Sequence, residues 1–234
     1  MILKPEKQPS LYLEPQWRTS HAFLVLGLFI LASYLLGSLA PLANRPIGII
    51  MIYYIIMFIC FFLGPLYIAC IFFKQPPQAL GFQDKPLTQG VFKAISWGAA
   101  LYFLVILIRV AIFVLFPNFI SEEQQVTQIV QGADNLFDLA MLVFGVTILV
   151  PVAEELFFRA FLFSALEKRW GIKLAAVVSS LIFALMHEPS VYIPIFFGGL
   201  GFALMYAKYR DITMNMIAHA TWNSIAIALT LLIQ

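Results

Sequence analysis

The chain has 234 residues, of which 62% are hydrophobic and 11% are charged, and its formal net charge is +2. A soluble domain usually carries about 25% charged residues, so this composition excludes a large soluble domain and places nearly all of the chain in a membrane. The small net charge favours neither a nucleic acid nor an acidic partner, and we expect no nucleic acid to bind.

The predicted elements begin with a polar, proline-containing segment at residues 1–20, which predicts a cytoplasmic N-terminal tail rather than a cleaved signal peptide. Residues 21–234 form a single predicted transmembrane helical domain. We therefore predict an all-α integral membrane protein, a bundle of about seven spans, with six or eight as alternatives. The predicted spans are 21–41, 47–73, 91–116, 136–166, 173–187, 192–207 and 212–233.

The predicted spans differ in length. The second and fourth are long enough to tilt, bend or break, and Pro65 and Pro151 are the candidate break points because proline removes a helix hydrogen bond. The fifth and sixth are short, so one or both are candidates for an incomplete crossing. Cys60 and Cys70 lie in apolar sequence, where we interpret them as packing residues that indicate no redox compartment.

Loop charges predict the orientation of the spans. With seven spans, one side of the membrane has 11 of the 14 Lys and Arg residues, the other side has only Arg45, and Arg109 and Arg159 lie within spans. The positive-inside rule then predicts a cytoplasmic N-terminus. The 11 cations on the cytoplasmic side are Lys4, Lys7, Arg18, Lys74, Lys85, Lys93, Lys168, Arg169, Lys173, Lys208 and Arg210.

Polar groups inside spans are costly and therefore candidates for function. At 1.5 Å per residue, Glu154 and His187 lie roughly 21 Å from the cytoplasmic ends of their spans, Asn223 about 18 Å, and His219 about 12 Å. Three spans far apart in sequence thus bring polar groups to a similar depth. We predict that these four side chains meet around one pocket.

The helical positions of these groups divide their roles. Glu155 and Arg159 are four residues apart, in the order that favours an ion pair on one helix face. Glu154 is rotated about 100° from Glu155, so it is left free while its neighbour neutralises the arginine. His219 and Asn223 also share one face, and Asn215 extends it by a turn.

A free carboxylate, two imidazoles and an amide suggest hydrolysis. The carboxylate can take a proton from water, a histidine can orient that water, and an amide can donate to an oxyanion. Two histidines and a glutamate are also a zinc ligand set, which makes Glu154, His187 and His219 candidate metal ligands. The spacing is not His-Glu-x-x-His, so a zinc mechanism and a metal-free glutamate mechanism both stay open.

Three short motifs resemble those of a known family. "EELFFR" (154–159) matches Glu-Glu-x-x-x-Arg, "FALMH" (183–187) matches Phe-x-x-x-His, and "HATWN" (219–223) matches His-x-x-x-Asn. In this order and on separate helices, they resemble the CPBP group: CAAX prenyl endopeptidases of the Ras-converting type and their bacterial relatives, which include bacteriocin-processing and immunity proteins. The resemblance covers roughly 150–225, within a predicted catalytic core at 136–225.

The resemblance implies roles for the motif residues. Glu154 would be the base that activates water, and His187 would hold the water or a metal. His219 and Asn223 would stabilise the oxyanion, while Glu155 and Arg159 would support the site.

The same resemblance implies an intramembrane endopeptidase that cleaves membrane-anchored peptide or protein substrates, with lipid as its surroundings. We expect a multi-pass protein of the bacterial inner membrane or an equivalent energy-transducing membrane. The alternatives are a proton-coupled transporter and a non-catalytic scaffold or bacteriocin-immunity protein of the same family. The oligomeric state is not predicted.

The remaining polar positions have less specific interpretations. A structural role is favoured for Arg109 and Asp138, and Asn215 is equally consistent with an interhelical hydrogen bond. Glu188 directly follows His187, and it is either an outer-face residue or an extra ligand. The small residues of "GGLGFA" (198–203) predict close helix packing.

Overall fold

The structure is a computed structural model, and it describes residues 13–39, 46–84, 86, 88, 90–116, 133 and 135–232. Residues 1–12, which make up most of the predicted tail, lie outside this description. So do four cations of the orientation prediction: Lys4, Lys7, Arg45 and Lys85.

Helices dominate the described residues, as expected for a chain that must satisfy every backbone hydrogen bond within the lipid. The protein is an all-α membrane bundle, which confirms the predicted fold class. In chain order the helices are α1 (Thr19–Leu39), α2 (46–72, beginning as Pro46–Phe58), α3 (Val91–Leu115), α4 (136–170), α5 (172–185), α6 (Tyr192–Tyr209) and α7 (Ile212–Leu232). Short 3₁₀ turns occur at Pro77–Leu80 and Pro189–Val191.

A glycine separates α4 from α5. Gly171 has φ 75° and ψ 169° within an otherwise continuous helical run. Glycine adopts such a conformation without the steric cost that a side chain imposes. The run therefore kinks here, close to the loop predicted between the fourth and fifth spans.

The two prolines predicted as break points widen the helix instead. π-Helical turns cover Ile59–Leu63 before Pro65 and Gly145–Leu149 before Pro151. A proline lacks its own N–H and its ring crowds the carbonyl four residues earlier, so a wider turn at that carbonyl relieves the clash. A longer π-helical segment, Leu156–Phe163, follows the paired glutamates.

Among the described residues, five helical segments are long and apolar enough to cross a bilayer by length and composition: Thr19–Ser38, Ile47–Phe72, Val91–Leu115, Leu136–Leu185 and Pro189–Tyr209. The fourth contains the Gly171 turn and so corresponds to two predicted spans. Helix α7 has the length of a span but is not one of these five segments, because Asn215, His219 and Asn223 lower its mean hydropathy. The number of spans and the orientation stay predictions.

Four connecting segments meet at one end of the bundle. The backbone N–H of Gln16 donates to the Gln75 side chain, and Lys168 donates to the carbonyl of Pro15. Arg210 pairs with Glu167. These are the segments that an alternation of seven spans places on one side, the side predicted to be cytoplasmic.

Helix α4 lies at the centre of the bundle. Every residue from 156 to 163 is buried. Phe61 of α2 stacks on Phe157 with ring centroids 4.3 Å apart. Trp17, in the segment predicted as a tail, is fully buried, and its indole N–H donates to the Phe161 carbonyl over 2.9 Å. Neighbours on several sides therefore hold the helix that bears the two glutamates.

Candidate active site

A large cavity lies between the helices. Its volume is about 1190 Å³, and residues from all seven helices named above line it. Glu154, His187, His219 and Asn223, the four side chains predicted to meet, are all on its wall. Small-molecule pockets usually hold about 300–1,000 Å³, so this cavity has room for a peptide segment.

Glu155 is the most highly connected polar group of the site. It is fully buried, and its Oε2 atom lies 3.3 Å from Nε of Arg159, as the four-residue spacing predicts. The carboxylate also accepts hydrogen bonds from Nδ1 of His219 at 2.9 Å and from Nδ2 of Asn215 at 3.1 Å. Because a carboxylate only accepts, Nδ1 of His219 must be protonated.

Aromatic rings enclose the buried cation. Arg159 is 1% exposed, and its guanidinium carbon lies 4.5 Å from the ring centroid of Phe183 and 5.6 Å from that of Phe202. His219 stacks on Phe202 with centroids 4.8 Å apart. Cation–π contacts and the Glu155 ion pair together stabilise a charge that hydrocarbon alone would not accommodate.

Both histidines present the same atom to the cavity. Nδ1 of His187 lies 2.9 Å from the carbonyl oxygen of Phe183, which is an acceptor, so this nitrogen is the protonated one. In each ring Nδ1 is thus engaged, and Nε2 is left for the cavity. Nε2 of His219 lies 3.9 Å from Oε2 of Glu154.

Glu154 differs from its neighbour in having no direct hydrogen bond to another described side chain. Its side chain is 12% exposed, and His187 and His219 are close enough to interact with its charge. The 3.9 Å gap to His219 is too long for a direct hydrogen bond, and a water molecule could bridge it. Nδ2 of Asn223 donates to the Val146 carbonyl at 2.8 Å, which leaves the second amide hydrogen available.

The predicted zinc ligands do not form a compact group. Within the described residues, no three His, Cys, Asp or Glu side chains are close enough together to hold a metal ion. An Nε2 atom without a proton would suit zinc chemically, but Glu154, His187 and His219 do not fit around one ion here.

Several cavity residues were not predicted from the sequence. Tyr53 and Tyr54 of α2 line the wall, and both interact with the charge of Glu154. Gly145 leaves the space that the Tyr54 ring occupies, because a Cβ at Gly145 would lie 2.3 Å from that ring. A polar aromatic pair in an apolar span was the available signal.

The other polar positions now have defined surroundings. Asp138 caps the start of α4 with Asn135, which is the structural role favoured from the sequence. Asn215 makes interhelical hydrogen bonds to Glu155 and to the Phe202 carbonyl. Glu188 lines the cavity, and its Oε1 is buried without a hydrogen-bond partner in the described residues. It is therefore not an outer-face residue.

Comparison with known proteins places these features in a family. Residues 136–225 match the family model described as "Type II CAAX prenyl endopeptidase Rce1-like". The membrane-embedded CAAX protease MroQ of Staphylococcus aureus is 27% identical over 149 residues, which are 59% of each chain. YdiL of Bacillus subtilis, a proposed membrane peptidase, is 26% identical over 113 residues, 48% of this chain and 46% of YdiL.

A third relative is less informative about activity. The UPF0177 protein YxdF of Lactococcus lactis is 29% identical over 150 residues, 62% of this chain and 81% of YxdF. The chain spans only about half the length of MroQ and YdiL, at 59% and 46%. No solved structure matches the chain.

Fold and site together define a multi-pass integral membrane protein with a carboxylate and two histidines in a cavity between its helices. Within that class, residues 136–225 resemble the CPBP family, the CAAX protease-like membrane proteins. The resemblance predicted from the three motifs is therefore confirmed.

Proposed function

We propose that the chain is an intramembrane endopeptidase, in which Glu154 activates a water molecule to cleave membrane-associated peptides or proteins. The single observation on which this rests is that the two adjacent glutamates have different partners. Glu155 binds Arg159, Asn215 and His219, whereas Glu154 keeps its carboxylate for the cavity that His187 and His219 also face. The names of the relatives MroQ and YdiL support a peptidase.

The proposed reaction begins at the gap between Glu154 and His219. Water held there attacks the substrate carbonyl carbon while Glu154 takes its proton. Nε2 of His187 accepts a hydrogen bond from the other O–H of the water and so orients it, while that hydrogen stays on the oxygen. Glu154 then delivers its proton to the leaving nitrogen as the carbon–nitrogen bond breaks.

The oxyanion of the intermediate is stabilised by His219 and Asn223. In this step His219 is the imidazolium from the start and keeps both protons throughout: Nδ1–H stays bonded to Glu155, and Nε2–H donates to the oxyanion. Asn223 donates its second amide hydrogen, since the first is bound to the Val146 carbonyl. Glu155 and Arg159 position these groups and touch no reacting atom.

The test is Glu154→Gln in reconstituted vesicles that contain a library of membrane-anchored peptides. General acid–base groups usually contribute about 10²–10⁴-fold, so we expect cleavage to fall at least about 100-fold in a folded protein. Glu14→Gln, at a carboxylate whose side chain is 69% exposed, is the matched control. Unchanged cleavage in Glu154→Gln would remove Glu154 as the base.

The same preparations separate the alternatives. A transporter predicts proton or solute flux that Glu154→Gln abolishes, and a scaffold or immunity protein predicts no cleavage by the unaltered chain. Zinc is tested by metal content, since a zinc enzyme would retain one equivalent that His187→Ala removes. Persistent cleavage in protein stripped of metal would instead support the glutamate mechanism.

A further inference from the structure

Besides Glu188, the cavity wall has a cation that the proposed chemistry does not use. Arg109 lies in the apolar run of α3, is partly buried and lines the same cavity as Glu154. It has no ion pair or hydrogen bond to any residue in the described part of the chain. An unpaired guanidinium in a membrane helix is costly, and such residues usually face a water-filled cavity and mark a path for substrate.

The position of Arg109 on its helix is regular. Tyr102, Val105, Ile106 and Arg109 all line the cavity, with the three- and four-residue spacing of one helix face. The apolar members of this stripe would contact a substrate chain, and Arg109 ends the stripe with a charge.

Contacts between α3 and α7 place Arg109 relative to the catalytic group. A Cβ at Gly98 would lie 2.1 Å from the carbonyl oxygen of Ala218, and the rings of Tyr102 and Trp222 lie 5.9 Å apart. The two helices therefore run in parallel, with residue numbers offset by 120. His219 is level with residue 99, so Arg109 lies ten residues further along, or about 15 Å at 1.5 Å per residue.

That separation corresponds to a definite length of peptide. An extended chain rises about 3.3 Å per residue, so about 15 Å spans between four and five residues. A substrate whose scissile bond lies beside His219 would then place a group four or five residues away at Arg109.

We propose that Arg109 binds a carboxylate of the peptide substrate, four or five residues from the bond that is cleaved. This rests on the proposed function and adds a substrate class: membrane-associated peptides with an acidic group at that distance. Guanidinium is suited to this role, because it stays charged and its planar donors match a carboxylate in two hydrogen bonds. The carboxylate is either an acidic side chain or the C-terminus of the peptide.

Binding without turnover tests the proposal. The protein is Glu154→Gln in phosphatidylcholine vesicles, and the probe is a fluorescent, myristoylated heptapeptide of Leu and Ala. It is made as the C-terminal acid, as the amide, and as the amide with one internal Glu. We expect at least one acidic form to bind about 10–100-fold more tightly than the plain amide. The form that does so identifies the source of the carboxylate.

Variants at Arg109 test whether this residue causes the preference for an acidic peptide. In the same background, Arg109→Gln should reduce the preference to within about twofold, and Arg109→Lys should keep part of it. Lys93→Gln removes an exposed cation from the same helix and should leave the preference unchanged. If Arg109→Gln does not fold, Arg109→Glu serves in its place, with an expected preference for a Lys-containing peptide.

The proposal is overturned by equal binding of acid and amide, by a preference that survives Arg109→Gln, or by no binding of any peptide. If the Arg109 side chain instead extends to the membrane surface, the acid and the amide should bind equally. An effect of Arg109 that follows phosphatidylglycerol in the vesicles instead of the peptide carboxylate would assign it to lipid and also overturn the proposal. Because this assay needs no cleavage, it stays readable if the chain proves not to be a peptidase.

Discussion

Replacement of Glu155 by Gln should destabilise the protein much more than an ordinary substitution of similar shape. One carboxylate oxygen accepts a hydrogen bond from Nδ1 of His219. The other accepts from Nδ2 of Asn215 and forms the ion pair with Nε of Arg159. An amide group supplies one acceptor and one donor. Whichever way it turns, its NH₂ group faces another donor, and Arg159 loses its counter-charge.

The magnitude follows from the burial of this pair. Glu155 is 0% and Arg159 1% exposed, and removal of one partner from a buried ion pair typically costs about 3–5 kcal/mol. Replacement of both partners by apolar residues avoids the unpaired charge. Glu155→Leu with Arg159→Met should therefore be more stable than Glu155→Leu alone, although Asn215 and His219 still lose their acceptor.

The assay is unfolding in mixed micelles titrated with dodecyl sulfate and followed by tryptophan fluorescence and circular dichroism. Glu14→Gln controls for the loss of an exposed carboxylate and should lie within about 0.5 kcal/mol of the unaltered chain. The ion-pair explanation fails if Glu155→Gln is as stable as that control. It also fails if the double variant is less stable than Glu155→Leu.

Three further predictions concern packing around the site. Gly98→Ala should cost about 1–3 kcal/mol in the same unfolding assay, because the new methyl group meets the Ala218 carbonyl, whereas Gly27→Ala, with open space around it, should be neutral or slightly stabilising. Trp17→Phe should cost about 0.5–1.5 kcal/mol through loss of the indole hydrogen bond, and a cost near zero would contradict the observed burial. Phe202→Leu removes the ring stacked on His219 and should lower kcat for peptide cleavage by up to about tenfold with little loss of stability; an unchanged kcat would contradict a positioning role.

Much of the candidate site could be predicted because its residues repeat at helical spacing. The pairing of Glu155 with Arg159 followed from four residues on one face, and the structure contains that pair. The different facing of Glu154 followed from a 100° rotation per residue. Helix geometry alone determines both relations, so no knowledge of neighbouring helices was needed.

The partners across helices could not be predicted in the same way. The hydrogen bond from Nδ1 of His219 to Glu155, 64 residues earlier, has no signal in the spacing of either motif. The contributions of Tyr53, Tyr54 and Phe202 were likewise absent from the prediction. Each depends on which faces of two helices meet, and an apolar sequence contains little information about that choice.

By itself, the sequence determined that this is a multi-pass membrane protein, where its apolar helices lie, and which family its C-terminal part resembles. The reason is that lipid requires each spanning segment to satisfy its own backbone hydrogen bonds, so a span is a local property of the chain. Only the tertiary structure decided which carboxylate is occupied, which histidine nitrogens face the cavity, and that Arg109 shares it. Lipid is as apolar as the helices, so helix contacts depend on shape and on a few hydrogen bonds, which form only once the bundle has assembled.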